Sequence, residues 1–436
     1  MPLPSDWSSP QWSNLILGRK SDKEWPDKAQ LQEWLDISMR RLRQARDILR
    51  RAFVGMGPND EGARHIAGYL TDWLLAGLIA RENVLLIGPP GTAKTQIALL
   101  AYRLLGLSEA CVDDQHAQLL EMPVEDIRQW HARSDAEQKV QKYFHYLLSR
   151  YTQPDEIFGP LSLEYMKKGI LVRINFSFAT GPGVRGLFFD EVFKASSSIL
   201  NTLLTLLQER TYFNWGANVP ADAVMLIGAT NEMPGQFGGA VPGVAERGED
   251  FSFLYAFLDR FSVRLRVPTL SFGSDDGDVN NSSMVNAVNK AWQREQSRFI
   301  NDDDFHETLL DLPVRPEERA CVNDLLFAGR AMFWDDIDAF DVGEVKSFNE
   351  RFINIALELM KNNTDPSMHQ ITWTISPRKL RSLKKVALAH ALLCDDSFTA
   401  GRLIKSPDSN ELGIFNLIWD SPEAEGDLLR KINPFI

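Results

Sequence analysis

A chain of 436 residues exceeds the roughly 150 residues of one domain. Apolar, charged and aromatic shares of 44%, 24% and 10% are those of a globular protein with a packed core, which excludes a collagen-like, mucin-like or mainly disordered chain. Forty-seven basic against fifty-nine acidic side chains leave a formal charge of −12, a balance that repels a phosphate backbone on average and argues against nucleic acid as a partner.

In chain order, residues 1–25 are rich in Pro, Ser and Trp without a period, and no basic segment followed by an apolar one opens the chain, so no secretory leader is expected. Leu31, Leu35, Ile37, Leu42, Ala45, Ile48 and Leu49 predict an amphipathic helix over 28–51, and a second helix follows over 63–78. The apolar stretch 70–88 is interrupted by Thr71, Asp72, Arg81, Glu82 and Asn83, short of the ~20 apolar residues of a membrane span; a cytoplasmic protein is expected. Residues 83–87 read as a buried strand entering a Gly-Pro-Pro-Gly turn, and 96–105 as the helix after it. An acid-rich helical insert is expected over 107–142. Further apolar runs at 146–151, 186–189 and 223–228 suit buried parallel strands, with a strongly apolar helix at 199–207. Alternation of strand and helix implies a parallel sheet covered on both faces. A Gly, Ser, Asp and Asn-rich stretch at 271–283 marks a boundary, and the helical periods at 322–333, 348–360 and 378–393 predict a smaller all-α domain beyond it. The three cysteines, Cys111, Cys321 and Cys394, lack CxxC spacing, a pattern that predicts neither a disulfide framework nor a zinc site.

Between the strand 83–87 and its helix stands Gly88-Pro89-Pro90-Gly91-Thr92-Ala93-Lys94-Thr95. In that context backbone N–H groups and a helix N-terminus cradle phosphates, Lys94 reaches the β and γ phosphates, and the Thr95 hydroxyl binds Mg²⁺. The pattern departs from G-x-x-x-x-G-K-[ST] at Ala93. A second element, Gly186-Leu187-Phe188-Phe189-Asp190-Glu191, ends an apolar strand in two carboxylates with different tasks: Asp190 for the Mg²⁺ shell, Glu191 to polarise a water for attack on the γ phosphate. The third, the strand ending at Asn231, places an amide where an open parallel sheet gathers its active groups, and Asn231 is assigned to orienting that water.

The order of these elements, with Leu258-Asp259-Arg260-Phe261 and Ser376-Pro377-Arg378, resembles AAA+ ATPases of the MoxR family and looks closest to the RavA-like branch. The alanine of the phosphate loop is typical of that family, and similar phrasing recurs in Asp155-Glu156-Ile157-Phe158-Gly159-Pro160-Leu161-Ser162 and Ile199-Leu200-Asn201-Thr202-Leu203-Leu204. The resemblance implies a P-loop αβα sandwich with a five-stranded parallel sheet followed by a small all-α lid. It places an N-terminal extension at 1–50, the nucleotide-binding core at 51–268 with the insert 107–142, a linker at 269–285 and the lid at 286–436. It further implies ATP hydrolysis to ADP and phosphate with Mg²⁺, an arginine finger at Arg260 given to a neighbouring subunit, and a sensor arginine at Arg378, with Arg381 as the alternative. It implies a homo-oligomeric ring, usually a hexamer, and a protein partner carrying a von Willebrand factor A domain that the motor remodels or matures in chaperone-like fashion. A nucleic-acid translocase is the alternative. Two insertions, 159–185 and the aromatic hairpin tip Thr211-Tyr212-Phe213-Asn214-Trp215-Gly216, are candidates for gripping the substrate.

Overall fold

The computed structural model describes residues 39–50, 53, 70–110, 141–169, 171–175, 177–214, 217–231, 256–267 and 377–394. Along the chain these form α1 (residues 39–50), α2 (Leu70–Ile79), β1 (Asn83–Ile87), α3 (Lys94–Leu104), β2 (Ser108–Glu109), β3 (Lys142–Leu147), α4 (Pro154–Phe158), α5 (Leu163–Lys167), β4 (Val184–Asp190), α6 (Ser197–Glu209), β5 (Thr211–Asn214), β6 (Ala217–Pro220), β7 (Met225–Thr230), β8 (Val263–Arg266) and α7 (Pro377–Cys394). They belong to two compact units, one drawn from Met1–Glu82 with Ser262–Ile436, the other Asn83–Phe261.

In the unit Asn83–Phe261, five strands make one parallel sheet in the order β2-β3-β4-β7-β1. Every residue of β1 and β7 is buried, as expected of central strands covered on both faces. Two glycines show how the faces are covered. Gly186 pairs with Met225 across β4 and β7, so Gly228, an odd number of residues beyond Met225, opens on the opposite face. A Cβ at Gly186 would lie 2.9 Å from the ring of Tyr102 on α3, and a Cβ at Gly228 would lie 2.9 Å from the ring of Phe261. Tyr102, fully buried, also donates a hydrogen bond to the Leu187 carbonyl at 2.6 Å. Helix α3 thus packs on one face, and the segment ending at Phe261 on the other.

Helix α6 illustrates the local logic. The Ser196 hydroxyl caps it by accepting from the Ile199 N–H, and Ile199, Leu200, Leu203, Leu206 and Leu207 form the buried stripe. Arg210 ends it in a left-handed turn, φ 54°, which leads directly into the antiparallel hairpin β5–β6.

The unit Met1–Glu82 with Ser262–Ile436 contributes α1, α2, β8 and α7. Helix α2 is buried all round, and α7 packs along it with Leu383, Val386, Ala387 and Leu393 buried. Polar ties reinforce the packing: Lys385 pairs with Glu82 at 2.6 Å, and Arg46 caps the end of α7 by donating to the Leu393 carbonyl at 2.6 Å.

The predicted strands 83–87, 186–189 and 223–228 fall on β1, β4 and β7 with small shifts at their ends. The strand predicted at 146–151 is displaced: β3 runs Lys142–Leu147, and Ser149 to Thr152 form a turn closed by the Thr152 N–H on the Ser149 carbonyl. Polar Lys142 and His145 interrupt the apolar residues of β3, so a search for continuous apolar runs lands too late. The margins of the expected insert 107–142 are sheet, since Ser108 and Glu109 form β2 and Lys142 opens β3. Its interior lies outside the described residues, as do the helices expected at 322–333 and 348–360, the stretch 271–283, the chain before residue 39, and Trp215 and Gly216 at the hairpin tip. Among the described residues no helix is long and apolar enough to cross a membrane.

Gly228→Ala is expected to destabilise the unit by about 1–3 kcal/mol, the cost of overpacking a filled interior, read as a lowered thermal midpoint. An unchanged midpoint would mean that Phe261 yields its position freely.

Candidate active site

The loop between β1 and α3 is shaped by its backbone. The Gly88 N–H donates to the Thr230 carbonyl at 3.1 Å, joining the loop's base to the tip of β7, where the register sets Ile87 beside Thr230. Gly91 (φ 80°) and Ala93 (φ 61°) both adopt the left-handed conformation. Glycine accepts it without cost, whereas an L-residue such as Ala93 gives up about 1–2 kcal/mol. The alanine that departs from the usual phosphate-loop pattern therefore keeps the backbone shape that a glycine would adopt, and α3 starts directly after it at Lys94.

Lys94 is only 7% exposed, and its ammonium donates to the Gly88 carbonyl at 2.7 Å, the Pro89 carbonyl at 2.9 Å and Asn231 Oδ1 at 2.7 Å. Three acceptors match its three protons. Burial pulls its pKa below the ordinary lysine value, and the charges of Asp190 and Glu191 oppose that shift. The next residue, Thr95, donates its hydroxyl to Asp190 Oδ2 at 2.9 Å, while Asp190 Oδ1 accepts the Glu191 N–H at 2.9 Å.

Glu191 is itself left-handed, φ 54° and ψ 44°. A bulky residue in that region marks a conformation imposed by its surroundings. Its carboxylate accepts from the Asn231 amide through Oε1 and pairs through Oε2 with Lys194 at 3.3 Å. Asn231 therefore bridges Lys94 and Glu191, one end accepting and the other donating. This pivot joins the phosphate loop to the acidic strand end, a closer role than the water-orienting one assigned to it on sequence grounds.

Lys94, Thr95, Asp190, Glu191 and Asn231 thus converge at the carboxyl ends of three adjacent strands, β1, β4 and β7, with Pro89, Pro90 and Gly91 exposed at the rim and Thr92 bonding back to the Pro89 carbonyl at 2.9 Å. Arg260 stands elsewhere. Its carbonyl accepts from the Asn83 amide at 2.8 Å, at the opposite end of β1, about 13 Å of extended strand from the phosphate loop. Its guanidinium pairs with its neighbour Asp259 at 3.3 Å, and its buried Nε has no hydrogen-bond partner among the described residues. Arg378 lies in the first turn of α7; its side chain and that of Arg381 are outside the described residues.

Residues 128–312 match the model of the MoxR domain in the MoxR-vWA-beta-propeller ternary systems. That is under half of the chain; it includes Asp190, Glu191, Asn231 and Arg260 and leaves out the phosphate loop. Two uncharacterized proteins of Methanocaldococcus jannaschii are each 31% identical over 194 residues, 44% of this chain and 38% of the relative's length. A structural protein of the Acidianus two-tailed virus is 25% identical over 248 residues, 56% of this chain and 32% of that protein. The chain therefore spans well under half the length of the curated relatives it matches. Among solved structures, a protein of Cytophaga hutchinsonii provisionally designated an ATPase shares the fold, with a TM-score of 0.52 at 14% identity over 93% of this chain and 97% of that one. Residues 128–312 are thus similar to a MoxR domain, and the chain shares the fold of the Cytophaga protein.

Because Ala93 already holds a glycine-like backbone, Ala93→Gly is expected to leave the nucleotide affinity proposed below within a few-fold. Ala93→Val, a branched residue forced into the same turn, should weaken it about tenfold or more. Titration with a fluorescent adenine nucleotide checks both, and equal affinities for the two variants would contradict the loop geometry.

Proposed function

We propose that the chain is a MoxR-type AAA+ motor that hydrolyses ATP in a ring of identical subunits and uses the energy to remodel or mature a protein partner. The observation that carries this reading is the convergence of Lys94, Thr95, Asp190, Glu191 and Asn231 into one hydrogen-bonded set at the strand ends. Its donor chemistry fits a Mg²⁺ nucleotide. The Thr95 hydroxyl and the Asp190 carboxylate are hard oxygen donors held 2.9 Å apart, the type that Mg²⁺ takes, and Lys94 supplies the point charge for phosphate oxygens. Bound to Thr95 and Asp190, the metal would neutralise charge on the β and γ phosphates.

Each side chain then has a task in the reading. Lys94 exchanges one of its three internal acceptors for a phosphate oxygen. Asn231 is the exchangeable one, because the Gly88 and Pro89 carbonyls belong to the loop itself. Once released, Asn231 and Glu191 can hold a water between them, with Glu191 as the base that takes its proton. Arg260 completes a neighbouring subunit's site in trans: it lies at the far end of β1 from its own phosphate loop, and a guanidinium given across a seam offsets charge on the transferred phosphoryl group. Arg378 in the first turn of α7 is proposed as the sensor arginine of an all-α lid over 286–436, following the core 51–268.

The partner proposed is a von Willebrand factor A domain protein, in keeping with the ternary systems for which the matched domain is described. Placement in the RavA-like branch, a hexameric ring and a cytoplasmic setting belong to the same proposal and rest on the motif resemblance. A nucleic-acid translocase is disfavoured by the net charge of −12; steeply salt-dependent binding to DNA or RNA would restore it.

Lys94→Ala is expected to abolish nucleotide binding, and Glu191→Gln to keep binding while lowering steady-state ATP hydrolysis by about 10²–10⁴-fold. Arg260→Ala should lower hydrolysis by about 10³-fold or more with nucleotide affinity largely kept. Mixing Lys94→Ala with Arg260→Ala subunits should recover part of the activity, since some seams then join an intact phosphate loop to an intact arginine. No recovery in a mixture shown to co-assemble would remove Arg260 from the neighbouring site.

A further inference from the structure

A second cluster of reactive side chains lies in the unit Met1–Glu82 with Ser262–Ile436. Asp72 on α2 and His390 on α7 are 1% and 4% exposed, and Cys394 follows His390 by one helical turn. The spacing of four residues puts imidazole and thiol on one face of α7. Cys394 Sγ stands 3.6 Å from Asp72 Oδ2 and 3.6 Å from His390 Nε2, and the three ligand atoms all lie within 4.8 Å of one another.

Those two separations have a direct chemical meaning. A tetrahedral zinc ion with bonds of about 2.3 Å to sulfur and about 2.0–2.1 Å to nitrogen or oxygen sets sulfur about 3.5–3.6 Å from each of the other ligands. The sulfur edges of this cluster already have that length. Neighbouring side chains orient two of the three ligands. Trp73 stacks on the His390 ring at 3.8 Å between centroids and 14° between planes, which fixes the imidazole plane. Arg50 grips the Asp72 carboxylate, with Nε on Oδ1 at 2.8 Å and Nη2 on Oδ2. A carboxylate oxygen has two lone pairs, so Oδ2 can serve Arg50 on one side and a metal on the side facing Sγ. Arg50 is 25% exposed while Asp72 is 1%, so the guanidinium offsets part of the carboxylate charge and the thiolate formed on binding supplies the negative charge that draws a cation.

We propose that Asp72 Oδ2, His390 Nε2 and Cys394 Sγ form a binding site for one zinc-class divalent transition metal that clips α7 to α2. Sulfur, nitrogen and one carboxylate oxygen are a borderline-soft set that selects zinc or cobalt over Mg²⁺. On binding, the thiol loses its proton to solvent and the sulfur lone pair forms the metal bond, so metal uptake releases one proton and weakens as pH falls. The cysteine spacing along the chain hides such a site, because its only local mark is the His390–Cys394 turn and its third member comes from 318 residues earlier, a separation fixed by the numbering.

The test uses the full chain, reduced and stripped with chelator, titrated with Co²⁺ under anaerobic conditions. The expected result is a thiolate-to-cobalt charge-transfer band that saturates at one equivalent and is bleached by Zn²⁺. Cys394→Ser should abolish the band, His390→Gln should weaken Co²⁺ binding about 10–100-fold, and a Cys111→Ser, Cys321→Ser double variant should retain it. Lys94→Ala should also keep the band, which separates this site from the nucleotide proposal. The absence of a band in the unsubstituted chain, a measurement independent of whether any variant folds, would overturn the site, as would a band that survives in folded Cys394→Ser.

Discussion

The arrangement depends first on one buried ammonium. Lys94, at 7% exposure, is tolerable in the interior only because each of its protons has an acceptor and two carboxylates stand close by. Two of those acceptors, the Gly88 and Pro89 carbonyls, belong to the loop itself, which passes through left-handed turns at Gly91 and Ala93 before it reaches Lys94. The third belongs to Asn231, delivered by the register that sets β7 against β1. Loop shape and strand pairing therefore meet at a single side chain, and an error in either would leave a charge stranded in low dielectric.

From Lys94 the network passes through Asn231 to Glu191, and from Thr95 through Asp190 back to the Glu191 N–H. Asn231 suits the bridging position because an amide accepts at one end and donates at the other; a carboxylate there would face Glu191 with like charge, and an aliphatic side chain would leave both partners open. Glu191 holds a left-handed backbone to reach it. The left-handed turns at Ala93 and Glu191 are conformations that the folded sheet must stabilise, and the tight packing of Tyr102 and Phe261 against Gly186 and Gly228 shows where that rigidity resides.

Much of this was legible in the residues. The phosphate loop, the acidic strand end and the strand leading to Asn231 each join an apolar run to a polar terminus, a local pattern that needs no tertiary knowledge. What escaped was tertiary in origin. The start of β3 is disguised by Lys142 and His145, whose place is set by the sheet around them. The bridging role of Asn231 depends on two partners distant in sequence, and no period reveals it. The Asp72, His390 and Cys394 cluster is the extreme case, since α2 and α7 lie at opposite ends of the chain and only packing brings them together.

The position of Arg260 follows from the same geometry. A parallel strand carries its active groups at its carboxyl end, and β1 runs from Asn83 to Ile87 before the phosphate loop. Arg260 is tied by its main chain to Asn83, at the amino end, while among the described residues its guanidinium makes the 3.3 Å pair with Asp259. A surface pair between sequence neighbours contributes at most about 1 kcal/mol, so it leaves the guanidinium available for a stronger anion. In the proposed motor, a site whose own Arg260 is anchored at the far end of its first strand would take its arginine from a second copy of the chain, which carries one in the same position. The proposed donation would then need a head-to-tail contact, the kind that closes into a ring when the rotation between neighbours divides a full turn.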